Sequence, residues 1–229
     1  MKYKYILLDV DNTLLDFSAA EKVAHKNASL KFSLPATQEN YLTYKKINAK
    51  WWKKHELLQC SREELVIKRF EEYLPLINAT HIDAKEFNSC FLNELQYTNV
   101  LMEGATELVK YLYDLGSTLY IVTNGFYKVQ KNRLKDLELT KFIKDVFVSE
   151  NVGFAKPTIE FFKEVEKRIG DNLKGKSLII GDSLTSDIQG GMNIGIDTCL
   201  YNPENLEIPN NFKVDYNIQK LTDLIKILN

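Results

Sequence analysis

The sequence is poor in the residues that staple small proteins. Its three Cys, Cys60, Cys90 and Cys199, are odd in number, far apart and without a CxxC spacing. This excludes a disulfide scaffold and points to reduced, mostly buried thiols in a cytoplasmic protein. The three His, His25, His55 and His81, show no metal-ligand spacing. With 10 Gly and 5 Pro the chain is not collagen-like. Excess charge is also missing. Thirty basic residues, 26 of them Lys, face 31 acidic ones, for a net charge of -1. A dedicated nucleic-acid binder shows a basic excess, so none is expected as a partner. Long apolar runs are absent too. Met1–Leu8 is too short for a signal-peptide core, and nothing approaches the ~20 residues of a membrane span. The sequons at Asn27 and Asn78 therefore read as accidental.

What is present is ordinary for a folded chain: 229 residues, 45% hydrophobic and 27% charged. That length suits one large domain, or one domain with an insert. It should bury about 70–75% of its unfolded surface, without help from disulfides or a structural metal.

Periodicity divides the chain. Tyr5 to Asp9 reads as a short buried strand ending in an acidic turn. From Phe17 to about Tyr97 the pattern is helical: 19–30, 39–58, a segment opened by Ser61 with Glu64 as a capping box and ended by Pro75, and 83–95. Beyond Gly104, helices at 105–115, 126–137, 158–169, 184–193 and 218–228 alternate with strands at 118–122, 146–148, 177–180 and 198–201. The strand at 198–201 is expected to be the last. Such alternation implies a parallel sheet covered on both faces. The expected fold is α/β, a doubly wound, Rossmann-like parallel sheet with a helical domain inserted after the first strand. The core is residues 1–15 and 99–229, and the insert is 16–98.

Gly170 to Ser177 fits the phosphate-loop pattern letter for letter. That loop needs a strand before it and a helix after it, so that helix N–H groups meet the phosphate. Here a helix precedes and a strand follows, and the motif is rejected.

Four other motifs fall at strand ends. Asp9-Val10-Asp11-Asn12-Thr13 offers two carboxylates one residue apart, a nucleophile and a general acid/base, or else a polar turn. Thr123-Asn124-Gly125 reads as a strand-to-helix turn that offers a hydroxyl and N–H groups to an anion. Lys156-Pro157 opens a helix, and taken alone its Lys is a surface residue. In Gly181-Asp182-Ser183-Leu184-Thr185-Ser186-Asp187, the two Asp are helix caps or hard oxygen ligands for Mg²⁺. The carboxyl edge of an open α/β sheet is where ligands bind. Together the motifs suit a phosphoryl group and a magnesium ion.

This order of motifs, with the insert after the first, resembles the haloacid dehalogenase superfamily of Asp-dependent phosphohydrolases over essentially the whole chain. The stretches 149–157 and 181–191, with Phe126, Gln130 and Arg133, resemble its house-cleaning pyrimidine 5′-nucleotidases. Leu8 and Asn12 depart from the usual residues without removing a reacting group. The resemblance implies a Mg²⁺-dependent phosphatase acting on a small phosphomonoester, a nucleoside 5′-monophosphate. It implies Asp9 as nucleophile, through an aspartyl-phosphate, and Asp11 as acid/base. Mg²⁺ would be held by Asp9, Asp182 and the Asp11 carbonyl, with Asp187 behind them. Thr123, Asn124 and Lys156 would hold the phosphate. The helical insert would be a cap that chooses the leaving group. The protein is expected to be a monomer or homodimer. A dehalogenase would not need Asp11. A sugar-phosphate phosphatase or mutase, and an idle phosphate-binding module, stay open. Trp51, Trp52, Tyr41 and Tyr44 read as core residues, with base stacking as the alternative.

Overall fold

A computed structural model describes residues 2–229. In chain order its elements begin with β1 (Tyr5–Leu8), α1 (Phe17–Lys31), α2 (Gln38–Glu56), α3 (Arg62–Leu76), α4 (Ala84–Leu95), α5 (Ala105–Asp114), β2 (Thr118–Thr123) and α6 (Tyr127–Leu134). They continue with β3 (Ile143–Val148), α7 (Ser149–Val152), α8 (Ile159–Ile169), β4 (Ser177–Gly181), α9 (Gln189–Ile194), β5 (Asp197–Tyr201), β6 (Tyr216–Ile218) and α10 (Leu221–Leu228). They form two compact units. One joins the chain up to Asp16 with Val100–Asn229, and the other is Phe17–Asn99.

The first unit is built on a six-stranded parallel sheet in the order β3-β2-β1-β4-β5-β6. β1 is apolar throughout because it is central and covered on both faces. Its side chains alternate between two clusters. Ile6 and Leu8 join Leu108, Leu112, Leu221 and Leu224, whereas Tyr5 and Leu7 join Phe161, Phe162 and Val165. Strand order reverses beside β1, between β2 and β4, which is the topological switch point of a doubly wound sheet.

The structure corrects four expectations. Residues 198–201 are not in the last strand, because Tyr216–Ile218 pairs with β5. The closing helix consequently starts at Leu221. The helix expected over 126–137 stops at Leu134 and gives way to a 3₁₀ turn at Glu138–Phe142. The helix expected over 184–193 begins as a π turn, Leu184–Ile188, before α9. The phosphate-loop mimic is, as its context requires, the end of α8 at left-handed Gly170 and a turn at Gly175 into β4. Lys176 there pairs with Asp171 at 2.6 Å, half exposed. Lys176→Ala is expected to leave hydrolysis kinetics unchanged and to cost under about 1 kcal/mol in urea unfolding. A large fall in kcat would reopen the phosphate-loop reading.

The second unit packs α1 to α4 around stacked rings. Tyr44, Phe70, Tyr73, Phe87 and Phe91 are fully buried there. Tyr41 and Tyr44 are therefore core residues. Trp51 is half-buried and donates to Glu72 Oε2 at 3.0 Å. Ser61 and Glu64 form both bonds of a capping box at the start of α3. His25 stacks on Tyr44 and lies 2.7 Å from the Tyr73 hydroxyl, and burial pushes it down to about 4. It is a neutral core residue at pH 7. The three cysteines are free thiols. No helix among the described residues is long and apolar enough to cross a membrane.

Candidate active site

The four motifs meet at the carboxyl edge of the sheet. Asp9 follows β1, Thr123 ends β2, Asp182 follows β4, and Lys156 lies in the loop before α8. Lys156, read from sequence as a surface residue when taken alone, is 1% exposed. Its ammonium group donates to Asp9 Oδ1 at 2.7 Å, Asp187 Oδ1 at 2.6 Å and the Val122 carbonyl at 2.8 Å. Three acceptors match the three hydrogens of an ammonium group, which is why it can be buried. Burial works against its charge, but Asp187 and Asp9 together outweigh that and hold its pKa up.

One cation does not balance this cluster. Asp9, Asp182 and Asp187 each offer an oxygen within 4.8 Å of the others. Three carboxylates about one ammonium leave two surplus negative charges in a site of low dielectric. Burial, with Lys156 opposing and Asp187 and Asp11 adding, pushes Asp9 up to about 7. Asp182 is pushed well up by burial, then by Asp9 and Asp187. An all-oxygen donor set with a charge deficit of two fits a hard divalent cation. Asp187 has its oxygens turned to Lys156 and, at 3.2 Å, to the Ser183 N–H. A Cβ at Gly181 would lie 2.1 Å from Asp187 Oδ2, so only glycine admits that carboxylate.

Asp11 is held apart from this cluster. Its Oδ2 accepts from Gln130 Nε2 at 2.6 Å, and its Oδ1 pairs with Arg133. Both partners come from buried positions on α6. Gln130 also donates to Thr123 Oγ1 at 3.2 Å. Gly125 makes room for it, since a Cβ there would lie 2.2 Å from Gln130 Nε2. Gln130 and Arg133 entered the sequence reading only as marks of resemblance, and their role as a clamp on Asp11 was missed. The available signal was an Arg on the inward face of a short helix, a place that demands a partner. Asn12 has φ 59°, a left-handed conformation that Asn tolerates, which gives its departure from the usual residue a backbone reason.

Thr123 Oγ1 accepts the Gly125 N–H at 3.1 Å, leaving its own proton to donate to an anion. The Asn124 carboxamide makes a bracket across two loops: Nδ2 donates to the Lys156 carbonyl at 2.8 Å, and Oδ1 accepts the Lys156 N–H at 2.9 Å. Its side chain positions Lys156.

A family model described as haloacid dehalogenase-like hydrolase matches residues 3–195. The HAD-hydrolase YfnB of Bacillus subtilis is 39% identical over 228 residues, covering 100% of this chain and 96% of its own. Its crystal structure, described as bound to magnesium, superposes with a TM-score of 0.94 at 38% identity, covering 100% of each chain. The pyrimidine 5′-nucleotidase PynA of Streptococcus pneumoniae is 35% identical, covering 100% of this chain and 96% of its own. The pyrimidine 5′-nucleotidase YjjG of Escherichia coli is 27% identical, covering 100% and 99%. With the strand-end carboxylates, the buried lysine and this likeness together, the chain belongs to the haloacid dehalogenase-like hydrolases and is a phosphomonoesterase that resembles their pyrimidine 5′-nucleotidases.

Proposed function

We propose that the protein is a Mg²⁺-dependent 5′-nucleotidase that releases phosphate from nucleoside 5′-monophosphates, pyrimidine ones foremost. The observation that carries the chemistry is Lys156 bridging Asp9 and Asp187, with Asp182 beside them. Asp9 is the nucleophile toward phosphorus. Lys156 and the Thr123 hydroxyl hold phosphate oxygens and offset charge as the bond to the leaving oxygen breaks. Asp11 gives a proton to that oxygen and then takes one from the water that hydrolyses the aspartyl-phosphate. Gln130 and Arg133 hold the Asp11 carboxyl between them, which fixes the acid/base group that must carry its proton into the first step and regain one from the water in the second. When bound to Asp9, Asp182 and the Asp11 carbonyl, Mg²⁺ supplies the positive charge that lets one anion approach another. The helical unit, 17–99, is the cap in this reading. The narrowing to pyrimidine nucleotides is supported by PynA and YjjG and by the loops at 149–157 and 181–191.

Purified protein should hydrolyse dUMP, dTMP and UMP with higher kcat/KM than purine monophosphates or hexose phosphates. A chelator should abolish the activity and Mg²⁺ restore it. Asp182→Ala should raise the Mg²⁺ concentration for half-maximal rate by at least about tenfold, the scale of one lost carboxylate partner. Preference for a hexose phosphate would make the protein a sugar phosphatase. Isomerisation without phosphate release would make it a mutase, and full activity in the chelator would end the magnesium reading.

A further inference from the structure

The groups that hold a phosphate say nothing about what it is attached to. Two large side chains beside them bear on that question. Phe154, two residues before Lys156, is 49% exposed, and Tyr127, three residues after Asn124, is 40% exposed. Phe154 stands on the loop after α7 and Tyr127 opens α6, each in a segment that follows a strand at the carboxyl edge of the sheet. These two segments are stitched into one lip. Asn124 bonds both backbone groups of Lys156, and the Tyr127 N–H donates to Glu150 Oε2 at 2.7 Å. Gly153, left-handed at φ 90°, ends α7 immediately before Phe154. Thr158 Oγ1 fastens the far side of the turn by donating to the Ala155 carbonyl at 2.6 Å. Phe154 therefore projects from a fixed turn, and its exposure does not come from a loose one.

An exposed aromatic ring beside a phosphate site suits a ligand with both an anionic and a flat apolar end. Phe154 and Tyr127 thus start from the same two segments that carry Lys156 and Asn124. We infer that Phe154 and Tyr127 form an aromatic lip on the sheet unit that stacks the base of a nucleoside monophosphate, and so select a base-bearing leaving group over a bare sugar phosphate. The inference rests on the nucleotidase reading and adds to it a base subsite on the core unit, which the sequence reading assigned wholly to the cap. Stacking tolerates any base, so the lip favours a base-bearing substrate without choosing among bases.

The test is the ratio of kcat/KM for dUMP to kcat/KM for ribose 5-phosphate, measured in wild type, Phe154→Ala, Tyr127→Ala and the double variant. Ribose 5-phosphate keeps the sugar and phosphate and lacks the base. The ratio should fall about tenfold for each ring removed, the scale of one base–aromatic stack. The change should lie mainly in KM for dUMP, and Phe154→Trp should keep the ratio at or above wild type. An unchanged ratio in the double variant overturns the lip, whatever happens to the absolute rates. A wild-type enzyme that already prefers ribose 5-phosphate would instead overturn the nucleotidase reading itself.

Discussion

Asp9→Asn is expected to lower kcat by about four to six orders of magnitude, because an amide cannot attack phosphorus and no neighbour can take its place. The fold should survive. Asp9 is one of three carboxylates around a single Lys, and burial with its like-charged neighbours pushes it up to about 7. A carboxyl whose folded pKa is raised weakens the folded state once the unfolded chain ionises near 3.8, and the penalty grows until pH reaches the folded value. The metal-free variant should therefore be more stable than metal-free wild type at neutral pH, by on the order of a few kcal/mol. The two should converge below about pH 4. Phosphate release at the wild-type rate would remove Asp9 from the reaction. A metal-free variant that unfolds more readily at pH 7 would contradict the charge surplus.

Lys156→Met should damage both stability and turnover. It leaves Asp9 and Asp187 without their shared cation and the Val122 carbonyl without its donor, all in a buried place. Breaking a buried ion pair from one side costs about 3–5 kcal/mol. In a chain of this size that lowers the thermal midpoint by on the order of 10 °C. Loss of one preorganised donor to the reacting phosphate should lower kcat by a further factor of about 10²–10³. Lys156→Arg should not rescue either loss, because a planar fork cannot reach three acceptors arranged around a point. An Asp187→Asn variant offers a control, since it keeps the shape and removes one of the two charges Lys156 answers. Thermal melts and steady-state phosphate release on the three variants would decide. Wild-type stability in Lys156→Met would mean that the bridge is incidental.

How far these features were legible in the sequence depended on how local they are. β1 could be read because a central parallel strand is apolar on both faces, and its end was marked by Asp9. Helices with side-chain caps, such as that after Ser61, announced their starts. β6 escaped because it is three residues long and follows an irregular crossover from 202 to 215. Its pairing with β5 is a tertiary fact, absent from any local period. The π turn at Leu184–Ile188 was read as ordinary helix because one extra residue per turn leaves too small a trace in five residues. In the site, the motifs supplied the reacting groups but not their pairing. Lys156 alone reads as a surface lysine, and only the fold brings Asp9 and Asp187, distant in sequence, onto its three hydrogens. Gln130 and Arg133 looked like helix residues until Asp11 was seen between them. Asn124, read as part of a turn that offers a hydroxyl and N–H groups to an anion, also holds the loop of Lys156 through its side chain, a contact that no local pattern announces.

The short bridge at the mouth of the inserted unit bears on how the chain folds. Asp16 N–H donates to the Val100 carbonyl at 2.9 Å, so about 80 residues leave and return at one point. The sheet begins with β1, yet its first partner starts at Thr118, with Tyr5 opposite that residue. Bringing such distant segments together carries a loop-closure penalty. The hydrogen bonds within each helix are local and form quickly, and on a ribosome residues 17–99 emerge before β2 is made. Once that bundle exists, the chain between β1 and β2 behaves as a loop of a few tens of residues at most. The closure penalty then drops by about 1–2 kcal/mol. A variant with a loosened helical unit should therefore refold its sheet more slowly even where the sheet sequence is untouched.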